Sequence, residues 1–148
     1  MGPAHFHAYR WQGERRVFDQ ENDRRPGPGP EPSLGFLANT CTPLRISDWL
    51  LRPATAITRT CGSVEEAVAW YRHELTRAAP ALGSPAERAA VPALVRSAKE
   101  QLARGADVHG GWYLRGTGFH TLDLVCCSPH PTRPELPCPL TARPVLDR

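Results

Sequence analysis

A chain of 148 residues is long enough to bury the core of one domain and too short for two. With 41% hydrophobic and 22% charged residues it reads as a soluble globular protein, and no run of about 18 apolar residues is present to cross a bilayer. The net charge of +3 is mild, and the arginines alternate with acids, as in Glu14-Arg15-Arg16 and Asp23-Arg24-Arg25, instead of forming the one-signed stripe of a nucleic-acid binder.

Residues 5–11 alternate, with His5, His7, Tyr9 and Trp11 on one face of an expected strand and Phe6, Ala8 and Arg10 on the other. Val17-Phe18 is expected to extend a hairpin after the Gln12-Gly13 turn. Pro26, Pro28, Pro30 and Pro32 then make a Pro/Gly loop over about residues 20–33, because proline lacks the amide hydrogen that helices and ladders use. Residues 34–38 read as a short strand. Thr42-Pro43 resembles an N-cap followed by proline at the first helical position, opening a short helix with Leu44, Trp49 and Leu50. Threonine-rich residues 54–61 read as a strand ending at Gly62.

Ser63-Val64-Glu65-Glu66 is a capping box, and Val64, Ala67, Val68, Tyr71, Leu75 and Ala78 continue it as one apolar helical stripe. Ser84-Pro85-Ala86-Glu87 repeats the start signal; Leu94, Val95, Ala98 and Leu102 carry the stripe to Gly105, with Pro92 expected to kink or split the segment. Residues 112–115 and 119–126 read as a hairpin or one long bulged strand, with Gly116-Thr117-Gly118 as the turn or bulge between them. The expected fold is α+β: a small, mainly antiparallel sheet with two or three helices packed on one face. It occupies residues 1–128, and the proline-rich residues 129–148 form an extended tail.

The last strand runs into Cys126-Cys127-Ser128-Pro129-His130, with Cys138 beyond. Thiols and imidazoles bind zinc tetrahedrally, usually as close pairs. Cys127-x-x-His130 has the reach for one pair, Cys138 is a candidate third ligand, and His120, His5 or His7 a fourth. Adjacent cysteines point to opposite sides of a strand, so Cys126 and Cys127 do not share one ion. The five cysteines are otherwise read as free: the count is odd, and the N-terminus shows no basic start or apolar leader region, so the cytoplasm is the expected compartment.

Three catalytic patterns are worth setting beside the residues. Cys127 to Arg133 has the Cys-x5-Arg spacing and resembles the phosphate loop of cysteine-dependent phosphatases, although Pro129 and Pro131 remove two amide donors that such a loop aims at phosphate. His5-Phe6-His7-Ala8-Tyr9 resembles the metal-binding strand of the HUH nucleases, which implies His5 and His7 as metal ligands and a helical tyrosine, here Tyr71, as nucleophile. His7-Ala8-Tyr9 and His120-Thr121-Leu122 are similar to the paired motifs of the two-histidine phosphoesterases, which implies His7 and His120 as general acid and base; Tyr9 stands where that motif has threonine or serine.

No catalytic pattern is intact, so the expected function is a binding or interaction module. Its contact surface would combine Tyr9, Trp11, Trp112 and Tyr113 with Arg10 and Arg115, and the tail would dock on a partner. A protein or small ligand fits better than nucleic acid, and no membrane role is expected. The alternatives are a metal- or histidine-dependent phosphodiesterase or nuclease using His5, His7 and His120, and a structural zinc protein; zinc or another divalent metal is the cofactor both would take.

Overall fold

Four antiparallel strands, in the order β2-β1-β4-β3, form the centre of the computed structural model, which describes residues 2–141. They are β1 (His5–Glu14), β2 (Arg59–Cys61), β3 (Val108–Tyr113) and β4 (Gly118–Cys127). β1 and β4 pair over their whole lengths, from His5 opposite Cys127 to Glu14 opposite Gly118. The two-residue period of a strand then sorts the side chains. Phe6 and Ala8 share one face with Leu122, Leu124 and Cys126. His5, His7 and Tyr9 share the other with Asp123, Val125 and Cys127.

The first face is covered by helices. Ser63 caps α3 (Val64–Ala78) by accepting the Glu66 amide hydrogen at 3.1 Å, as its capping signal requires. The proline-punctuated segment divides into α4 (Pro85–Ala89) and α5 (Val91–Ala103); Pro92 lies in the first turn of α5, where its missing amide has no intrahelical partner to lose. Gly105 follows with φ of 76°, a left-handed conformation that suits glycine after a helix. Leu75, Leu102, Leu122 and Leu124 are almost wholly buried between these helices and the sheet, each contributing about 1.5–3 kcal/mol of transfer free energy.

The second face is covered by irregular chain instead. A 3-10 segment, Ile46–Leu51, lays Trp49 flat on Tyr9, with ring centroids 4.4 Å apart and planes 10° from parallel. Leu136 and Cys138 complete this second core with Val125 and Cys127. β4 is thus buried on both faces, and its polar residues need partners. Thr121 meets the Thr42 hydroxyl at 2.6 Å, and the fully buried Asp123 accepts from Trp49 Nε1 at 2.8 Å and from His109 Nδ1 at 2.5 Å.

The α+β fold is the one expected, and several local elements differ from expectation. Residues 34–38 form a helix, α2 (Leu34–Ala38), not a strand: Ser33 accepts the Phe36 amide hydrogen, and only Phe36 is buried. Val17 and Phe18 lie in a single turn, α1 (Arg15–Phe18), because β4 begins at Gly118 and leaves β1 no partner beyond Glu14. Of residues 54–61 only Arg59–Cys61 is strand, since β1 offers its edge at Phe6 to Ala8 alone; Ala54–Ala56 is a 3-10 turn. Thr42 caps no helix, its hydroxyl being taken by Thr121.

Residues 129–141 return across the second face. His130 bonds Asp107, Arg133 reaches Asp48 at 2.5 Å and Ser47 at 2.9 Å, and Leu136 and Cys138 are buried. The remainder of the expected tail, residues 142–148, lies outside the described residues.

Candidate metal centre

Where β1 begins and β4 ends, the register sets three potential ligands on the second face. His5 is paired with Cys127, and His7 lies two residues along the same face. The returning chain then brings in Cys138. One ligand atom from each of His5, His7, Cys127 and Cys138 lies within 4.8 Å of all the others. His5 Nε2 and His7 Nε2 are 3.2 Å apart, and Cys138 Sγ stands 3.4 Å from His7 Nε2 and 3.6 Å from His5 Nε2. Tetrahedral zinc with ordinary bond lengths requires edges of about 3.3 Å between nitrogens and about 3.6 Å between nitrogen and sulfur. The His5–His7–Cys138 triangle is within about 0.2 Å of these values, and Cys127 lies within 4.8 Å of all three.

The surroundings suit neutral imidazoles. β2 pairs Thr60 with His7, and the His7 Nδ1–Thr60 Oγ1 distance is 2.9 Å. A hydrogen on Nδ1 donated to the hydroxyl leaves the Nε2 lone pair facing the cluster, the orientation a ligating histidine needs. Burial, with His5 beside it, pushes His7 down to about 4, and burial also lowers His5. Burial and the adjacent Cys138 push the Cys127 thiol up to about 12. Without a cation these are inert groups, because a thiol with so high a pKa is a poor nucleophile. A bound divalent ion reverses this by taking the thiolate and releasing its proton.

Of the six residues expected as candidate metal ligands, His120 and His130 are absent from the cluster, and His130 is committed elsewhere. Its Nε2 hydrogen is donated to Asp107 at 2.7 Å, and its Nδ1 accepts from the amides of Thr132 and Arg133, both at 3.3 Å. Neither nitrogen remains for a metal. Cys126 faces the opposite core, as adjacency on a strand dictates. Thr60 was not singled out from the sequence, and no local signal marks it; only the β1–β2 register places it behind His7.

The residues of the catalytic patterns do not converge. His7 and His120 lie on opposite faces of the sheet, because His120 is five residues from Val125, the register partner of His7. Tyr71 is buried in the helix-side core against Trp112, away from His5 and His7, and burial raises its phenol. Arg133 is committed to Asp48 and Ser47. The aromatic surface is dispersed as well. Tyr9 is stacked under Trp49, Trp112 is buried with Tyr71, and Trp11 packs near Phe18. Tyr113 meets Phe119 on the other face, Arg115 donates to the Pro80 carbonyl, and Arg10 pairs with Glu74.

No helix among the described residues is long and apolar enough to cross a membrane. Comparison with known proteins found no matching family model, no similar curated protein and no similar solved structure.

Proposed function

We propose that this protein is a zinc-dependent binding module in which His5, His7, Cys127 and Cys138 hold one structural zinc ion. The observation that carries this reading is the four-atom cluster, in which His5, His7 and Cys138 stand 3.2, 3.4 and 3.6 Å apart and Cys127 lies within 4.8 Å of each. Four protein ligands fill a tetrahedron, and structural zinc sites are closed in this way whereas catalytic ones keep a position for water or substrate. The ion would tie the returning segment to the sheet, doing for the irregular second face what α3 and α5 do for the first. Reduced thiols are required, which fits the five unpaired cysteines and would call for a reducing compartment.

A phosphodiesterase or nuclease using His5, His7 and His120 together has less support, since the sheet separates His120 from the other two. The test is elemental analysis of protein purified without chelator, followed by cobalt substitution. One zinc per chain, and a cobalt spectrum with intense tetrahedral d–d bands and thiolate charge transfer, are expected. Protein free of transition metal, or cobalt bound with the weak spectrum of an octahedral site, would reject the reading.

A further inference from the structure

A second feature lies on the helix side of the sheet and does not depend on the metal centre. Because β2 covers β1 only from Phe6 to Ala8, the edge of β1 beyond is open. A cleft of about 460 Å³ lies there between β1 and the end of α3, lined by Arg10, Gln12, Thr40, Glu74, Arg77 and His120. This volume falls in the range of small-molecule sites and exceeds what a bare inorganic ion fills.

His120 is its unexplained member. The residue is 5% exposed, and neither ring nitrogen has a hydrogen-bond partner. The Trp11 carbonyl is near enough to influence the ring without meeting hydrogen-bond geometry. A buried imidazole with both polar atoms unmatched is uncommon in a native structure. Glu74, Arg10 and Arg77 are all close enough for their charges to act on it.

The carboxylate of Glu74 is already engaged. It is 9% exposed and takes Arg10 Nη1 at 2.9 Å and Arg77 Nη1 at 3.6 Å, holding two guanidinium groups side by side at the cleft. Each guanidinium has five donors, so most remain free for an anion. Two cations against one committed carboxylate leave a net positive site, suited to a single anionic group more than to a polyanionic backbone.

We propose that this cleft binds a small organic anion, its carboxylate or phosphate head forked by Arg10 and Arg77 and hydrogen-bonded by the His120 ring. His120 lines the cleft yet is almost wholly buried, and access to its ring follows an outward swing of Arg10, whose side chain is 45% exposed. The organic body of the ligand occupies the rest of the cleft.

Ring resonances of His120 in the full chain, followed by NMR during titration with phenyl phosphate, benzoate and neutral benzyl alcohol, test this directly. A saturable shift with one or both anions, absent with the alcohol, is expected; the tighter anion identifies the head group. The double variant Arg10→Gln, Arg77→Gln should weaken that binding about tenfold or more, since each change removes charge-assisted bonds. Both side chains are substantially exposed, so the fold should tolerate the changes. No anion-dependent shift, an equal response to benzyl alcohol, or undiminished binding by the double variant would overturn the proposal. Zinc content measured on the same samples keeps this outcome separate from that of the metal centre.

Discussion

Loss of the Cys138 ligand should release one segment and leave the sheet intact. His5, His7 and Cys127 are held in register by the β1–β4 ladder, so an ion bound at the proposed site would add mainly the tie to Cys138. That tie closes a loop of about 11 residues from Cys127, for which the chain-entropy relation gives about 2.8 kcal/mol. Converted to an equilibrium, this is roughly a hundredfold change in how often the segment opens. Cys138→Ser, or chelation of the parent protein, should therefore speed hydrogen exchange about a hundredfold at two reporters. They are the Leu136 amide bonded to the Arg133 carbonyl and the Thr141 amide bonded to the Cys138 carbonyl. Amides in the middle of β4 should keep their protection. Unchanged exchange at Leu136 and Thr141 would refute the tie; loss of protection throughout the sheet would refute its locality. The ion pair of Arg133 with Asp48 and the buried Leu136 would set the stability of the segment without a bound ion.

Thr60→Val keeps the shape behind His7 and removes the acceptor for Nδ1, so zinc affinity measured by chelator competition should fall about tenfold or more; an unchanged affinity would show that the hydroxyl does not orient the ring. His109 should titrate above its ordinary value in an NMR pH series, because its hydrogen bond to Asp123 outweighs its own burial. A raised histidine stabilises the fold fully below the unfolded value of about 6.5 and loses that contribution as pH rises through the folded value. His109→Gln should abolish this part of the pH dependence, and a parent–variant difference independent of pH would contradict it. Leu122→Ala, at a position with no exposure, should cost about 2–5 kcal/mol in denaturant unfolding; a loss below about 1 kcal/mol would mean the helix-side core collapses around the gap.

Local chemistry alone was enough to read the long helices and most of β1 and β4, whereas β2 and β3 were read with the wrong bounds. Ser63 and Ser84 announce their helices by side-chain capping, and the alternation over residues 5–11 needs no partner to be visible, although β1 runs on through the expected Gln12-Gly13 turn to Glu14. The same alternation placed His5 and His7 on one face and separated Cys126 from Cys127. Short segments were legible only in part. Five residues at Leu34–Ala38 carry too few periods to distinguish strand from helix, and the Ser33 cap decided the matter.

Convergence was beyond the reach of sequence, because it depends on pairing between residues more than a hundred positions apart. The sequence nominated six candidate metal ligands; strand register and the return of residues 129–141 brought four of them together and assigned His130 to Asp107. The same register separated His7 from His120 and left the His120 ring in a cleft without a protein partner. Side-chain identity and strand period are encoded locally, so the sequence by itself determined which chemistry the chain carries and which face each group takes. Distances between those groups are set by long-range pairing and packing, and only the tertiary structure decided which of them meet.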